Sequence, residues 1–119
     1  MSYVDGFVLV IPRKNLKAYE KMAKLAAKVW REYGCLDYHE CIADDVDVKW
    51  GLPFPKLTNA KKSEVVFFSY IVYKSKAHRD RVNKKVMADH RLKDCCDPKN
   101  MPFDMKRMSA GGFKSFVQG

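Results

Sequence analysis

No stretch of the 119-residue chain approaches the roughly 20 consecutive apolar residues that a membrane-spanning helix requires. The amino terminus has no basic n-region and no small-residue cleavage site. Asp5 interrupts its first apolar run, and that run stops at Pro12, so no secretory signal is read there and a cytoplasmic location is expected. Cysteine is sparse, with Cys35, Cys41, Cys95 and Cys96 only. Reduced thiols are expected of them, since the chain can bury a core without staples and shows no leader. Adjacent cysteines such as Cys95 and Cys96 rarely form an unstrained bridge. Residues 35–47 lack lysine and arginine altogether, although the whole chain carries a formal net charge of +9.

What is present describes a soluble globule. Hydrophobic residues make up 47% and charged residues 31%, and the length suits one domain over residues 1–119. The positive charge is concentrated in two segments. Residues 13–31 hold seven bases (Arg13, Lys14, Lys17, Lys21, Lys24, Lys28, Arg31) against Glu20, and residues 74–93 hold eight against Asp80 and Asp89. Residues 35–47 hold Asp37, Glu40, Asp44, Asp45 and Asp47. Such faces are usually solvated; the sharper reading is attraction to a polyanion.

Tyr3 to Ile11 reads as a strand closed by Pro12. Asn15 is expected to cap a helix running to Tyr33, with Gly34 just beyond its end. Leu16, Tyr19, Ala23, Ala26, Trp30 and Tyr33 recur every three or four residues and mark the buried stripe, with the lysines opposite. Cys35 to Ala43 reads as a second strand. Residues 48–62, with Gly51, Pro53, Pro55 and Asn59, read as a long loop. Glu64 to Tyr73 is a third strand, and Ser75 caps a helix to about Leu92. Lys106 to Val117 reads as a final strand bulged or bent at Gly111-Gly112. The succession βαββαβ is that of a ferredoxin-like α+β domain, a four-stranded antiparallel sheet with two helices on one face.

Side chains alternate between the faces of a strand. Phe7, Leu9 and Ile11 oppose Val4, Val8 and Val10; Val65, Phe67 and Ile71 oppose Val66, Phe68, Tyr70 and Val72. Strands apolar on both faces belong at the centre, and the mixed second and fourth strands belong at the edges. Helices on one face leave the other exposing more apolar surface than a monomer usually tolerates. The expected cover is the same face of a second copy, giving a homodimer.

The segments YVDGFVLVIP (3–12), YHECIADDV (38–46), GLPFPK (51–56), RDRVNKKVMAD (79–89) and PFDMKRMSAGGF (102–113) resemble the YbaA-like family, small bacterial proteins with a domain of unknown function. The resemblance spans nearly the whole chain. It implies the dimeric α+β barrel, in which two such sheets pack face to face, and it implies no reaction. The wider barrel group includes small monooxygenases, so a cofactor-independent oxygenase is the implied activity if the chain is an enzyme. Haem-degrading members use an Asn on the first strand, a Trp on the third and a His in the next helix. The comparable regions here offer Asp5, Phe68 and His78, so only the His type is kept.

No catalytic constellation stands out, and no cofactor is expected. Asp5, in an otherwise apolar strand, must be paired or perturbed if buried, as functional carboxylates often are; the alternative is a solvated strand end. Glu40, on the parity opposite to His39, is a second candidate of that kind. His78, in the first turn of a helix, is a third, against the commoner surface or packing role. His39 and Cys41 alternate on one strand face about 7 Å apart with Cys35 and Asp37, and could share a metal. The remaining ligands have no place in the sequence, and edge-strand thiols with a surface histidine are the simpler reading. Trp50, Phe68 and Tyr70 are the candidate ligand-binding aromatics of a small-molecule pocket.

The rival reading is RNA binding. RNA-recognition modules share the βαββαβ succession and stack bases on third-strand aromatics. Phe-Ser-Tyr-Ile-Val-Tyr at 68–73 matches the later part of their motif. Val66 and Phe67 stand where that motif has a base and a glycine. Nucleic acid is therefore the alternative partner to a small molecule.

Overall fold

The computed structural model describes residues 1–119. Four strands, β1 (Tyr3–Pro12), β2 (Asp37–Ile42), β3 (Glu64–Tyr73) and β4 (Ser109–Lys114), form one sheet in the order β2-β3-β1-β4. All three pairings are antiparallel, with Asp5 opposite Ile71 and Gly112, and Glu40 opposite Ser69. The two doubly apolar strands lie at the centre, and β2 and β4 form the edges.

Helix α1 (Leu16–Glu32) crosses one face. Tyr19, Ala26 and Val29 are buried on it while its lysines are exposed, so the 3.6-residue period sets which side meets the sheet. Gly34 ends it with φ 105°, a left-handed conformation that favours glycine. Asn15 precedes the helix without capping it through its side chain. Its amide donates instead to the Pro102 carbonyl at 2.8 Å, tying the helix start to the C-terminal segment.

The single helix expected from Ser75 to Leu92 is two. Ser75 accepts from the His78 N–H and opens α3 (Lys76–Ala88). Asp89, in extended backbone, closes α3 and caps α4 (His90–Cys95) by accepting from the Arg91 N–H. The break has a physical cause: an aspartate bonds better to the first free amides of a new helix than to solvent in the middle of an old one.

The expected loop at 48–62 contains a short helix, α2 (Phe54–Thr58), begun after Pro53 and ended by Asn59 in the left-handed region (φ 54°). Phe54 meets Phe68 edge-on at 6.3 Å. This puts α2 on the face opposite α1, so helices lie on both sides of the sheet rather than one. There it covers one end: Val10 and Val66 are buried, while Phe68 stays 46% exposed.

The last strand is shorter than expected. Lys106 and Arg107 lie in a 3-10 turn (Met105–Arg107) before it, because Arg107 is drawn to Glu64 (2.5 Å) and to the Asn59 carbonyl (3.0 Å). Gly111 and Gly112 sit in unbroken register opposite Gly6 and Asp5, with no bulge.

Candidate functional site

On the α1 face the sheet and helix do not close fully. Ala23 and Ala26 face the sheet where larger residues would fill the gap, and a cavity of about 410 Å³ remains. Phe7, Leu9 and Ile71 form its floor, and Trp30 one wall. The Trp30 indole N–H is already taken by Tyr73 Oη (3.0 Å) and Asn83 Oδ1 (3.1 Å), so the ring offers only apolar surface. Met22 and Met87 line the sides, and Met101, Met105 and Met108 come from the segment before β4. Every methionine except Met1 therefore reaches this one space. Methionine is the apolar side chain that adapts most readily to irregular shapes.

One carboxylate stands in that mostly apolar lining, whose other polar members are His39, Ser69 and Lys93. Glu40 projects from β2 towards α1 and accepts three hydrogen bonds from neutral hydroxyls. Tyr19 of α1 (2.7 Å) and Ser69 of β3 (2.5 Å) donate to Oε1, and Tyr38 of β2 donates to Oε2 at 2.8 Å. Each donor follows from local geometry. Tyr38 is two residues away on the same strand face, Ser69 is its cross-strand partner, and Tyr19 lies on the buried stripe of α1. Burial first, and then the Glu40 charge, pushes both phenols well above the usual tyrosine range. They stay protonated and serve as donors. No lysine, arginine or histidine forms an ion pair with Glu40. An ionised carboxylate has about four acceptor sites, so three hydrogen bonds leave one, on Oε2.

A second cavity of about 450 Å³ adjoins the first and shares Tyr19, Ala23, Tyr38 and Glu40 with it. The carboxylate and its phenols thus form the partition between two spaces.

Residues 2–105 match the family model described as "Protein of unknown function (DUF1428)". The chain belongs to the DUF1428 family. The "Uncharacterized protein YbaA" of Escherichia coli K12 is 44% identical to this DUF1428 chain over 117 residues, 98% of each, and that of Shigella flexneri matches to the same extent. Among solved structures, the "De novo designed protein Foldit4" superposes with a TM-score of 0.52 at 9% identity, covering 97% of this chain and 99% of that one. That likeness concerns the fold alone.

The structure distributes the residues singled out in this DUF1428 chain over several places. Glu40 alone joins the hydroxyl cluster. Asp5 is buried beside β4, away from both cavities, where Arg79 of α3 pairs with it at 2.9 Å and lies over the Tyr3 ring at 4.9 Å. Its burial is thus answered by a cation, so it is not the solvated strand end that was the alternative. His78 accepts from the Lys74 N–H through Nδ1 (3.0 Å) and packs edge-on against Tyr73. Burial, then Lys74 and Arg81, lowers its pKa, so the ring stays neutral in a local turn. His39 stacks on Tyr70 at 5.0 Å on the face away from α1, next to Asp37 at 3.0 Å. Cys41 is exposed, and Cys35 is buried in the core cluster on the α1 side, so the two do not share a face as the alternation suggested. No group of three or more potential metal-ligating side chains forms anywhere. Trp50 is 79% exposed, and Phe68 and Tyr70 stand on the face opposite the cavity.

Sequence reasoning did not single out Tyr38, Ser69 or the methionines as parts of a site. The one local signal was the Tyr38-x-Glu40 spacing, which puts phenol and carboxylate on one strand face.

Proposed function

We propose that this chain is one half of a homodimeric, ferredoxin-like α+β barrel that binds a small, mainly apolar molecule between its sheet and α1. The molecule carries at least one hydrogen-bond donor, and Glu40 accepts from it. The observation that carries this reading is a carboxylate held by three neutral hydroxyls and ion-paired to no cation, in a mostly apolar, methionine-lined cavity that Lys93 and His39 also border. A volume near 410 Å³ lies in the range of small-molecule sites, and a few convergent polar groups in an apolar wall are their usual composition. A purely structural carboxylate would be expected to find a cation or solvent, as Asp5 and Asp89 find Arg79 and Arg91.

The dimer reading is supported by the uncovered part of the sheet. Phe68 and Phe113 are 46% and 64% exposed, and they flank Val4, Val8, Tyr70 and Val72 on one face. RNA binding on that face is less well supported, because the lysines of α1 are exposed on the far side of the molecule.

The test of the pocket is a fluorescence titration with two probes of one shape, 1-naphthylamine, which has a donor, and 1-methylnaphthalene, which has none. Both are expected to bind the native protein. Glu40→Gln is expected to weaken the amine by about tenfold, the worth of a charge-assisted hydrogen bond, and to leave the hydrocarbon unchanged. Equal loss for both probes, or none for either, would overturn the role given to Glu40.

A further inference from the structure

Consecutive side chains on a helix diverge by about 100°, so neighbouring cysteines normally point apart. Cys95 and Cys96 do not. Cys95 is the last residue of α4, and the backbone leaves the helix at Cys96 with φ −116° and ψ 44°. That turn swings the second side chain back, leaving the two sulfurs 3.0 Å apart. Both residues are half-buried against the core, and Cys96 also lines the methionine-lined cavity.

We infer that Cys95 and Cys96 are a reversible redox couple in the cavity wall, oxidised to a vicinal disulfide by hydroperoxides. The Cys95 sulfur attacks the hydroperoxide; the O–O bond breaks, an alcohol leaves (water, for hydrogen peroxide), and Cys95 becomes a sulfenic acid. The Cys96 sulfur then attacks the Cys95 sulfur. The S–S bond forms, the S–O bond breaks, and the hydroxyl departs as water with the Cys96 proton. Two thiols and one hydroperoxide thus give one disulfide, one alcohol and one water. The two steps balance equally with the roles of the two sulfurs exchanged.

Reversibility follows from covalent geometry. Adjacent α-carbons are held about 3.8 Å apart by a trans peptide, below the roughly 4.4–6.8 Å of ordinary disulfides. The bridge is strained, and strained, accessible bridges are the easily reduced ones.

The sequence supplies a clean assay. Cleavage after Lys93 and Lys99 releases Asp94–Lys99, which contains both cysteines and no other. The native protein is treated with hydrogen peroxide, then denatured, alkylated with iodoacetamide, digested and weighed. The expected result is an Asp94–Lys99 peptide lighter by two hydrogens and free of alkyl groups, restored to double alkylation by glutathione before denaturation. Double alkylation at a peroxide dose that already oxidises the exposed Cys41 would overturn the inference. So would Cys95 trapped as a sulfinic acid, or either cysteine bridged to Cys35, Cys41 or a second chain.

Discussion

Gly112 is an exposed residue of an edge strand, yet its side chain is decided by a neighbour. The Tyr3 ring lies across it so closely that an added Cβ would stand 2.3 Å from the phenol oxygen and 2.8 Å from the ring. The same ring carries the Arg79 guanidinium that neutralises buried Asp5. Gly112→Ala must therefore displace Tyr3 and disturb that ion pair. A loss of about 1–3 kcal/mol is expected, the usual cost of overpacking, read as an earlier midpoint in urea. Gly111→Ala is expected to cost less, since the nearest atoms to its added Cβ are 3.7 Å away on Phe113. Equal effects would mean that strand propensity, not the Tyr3 contact, sets the cost.

Among the elements, the junction of α3 and α4 depends most on a single ionised group. Asp89 receives the Tyr33 hydroxyl at 2.8 Å and the Arg91 guanidinium at 2.9 and 3.0 Å. Arg91 also reaches Glu32 at 2.8 Å, so the end of α1 and the start of α4 are fastened through one carboxylate. Its hydrogen bonds to Arg91 and Tyr33 hold the Asp89 pKa well below the usual range, and Arg107 lowers that of Glu64. A folded-state pKa below the unfolded one gives stability that is complete above the unfolded value, about 4, and drains away as pH falls towards the folded value. The native protein is expected to lose stability steeply below about pH 4, and Asp89→Asn to flatten that slope while lowering stability at neutral pH. Circular dichroism melts across pH 2–7 check this; an unchanged slope in the variant would assign the acid sensitivity elsewhere.

Which elements could be read from the sequence follows from how local their causes are. The span of β3, Glu64 to Tyr73, and the course of α1 agree with the periodicity because each repeats its pattern over many residues. The division at Asp89 is invisible in an apolar stripe because a single polar side chain makes it, capping α4 while Tyr33 and the Arg91 guanidinium hold it in place. The Gly-Gly pair reads as a bend for a similar reason: at Gly112 it is the Tyr3 ring, far off in sequence, and not the backbone, that requires a glycine. Glu40 could be named from its place in β2, but its surroundings depend on the β2–β3 register and on the rotation of α1, which no single segment encodes.

At the scale of the molecule, the extents are 38 × 37 × 20 Å, a slab about one sheet and one helix layer thick. Helix α2 shields one end of the outer face, meets half-exposed Phe68 at its edge, and leaves Tyr70 and Phe113 beyond it. If a second copy covers the part beyond, the native protein is expected to appear as a dimer by native mass spectrometry. Tyr70→Glu is then expected to appear as a folded monomer, because a carboxylate would be buried without a partner. A variant that stays dimeric would move the interface elsewhere, and a monomeric native protein would remove the dimer reading itself.

The partition between the two cavities is built of side chains, not backbone. Tyr19, Tyr38 and Glu40 turn about their own bonds, and the hydrogen bonds that hold them upright are each worth about 1–3 kcal/mol. A short ligand of the proposed kind would rest on one side and leave the partition closed. An elongated one would enter fully only by turning a phenol aside and joining the two chambers into a single passage. On the proposed reading, the same three residues that would recognise a donor would also measure length, and the site would discriminate by reach as well as by polarity.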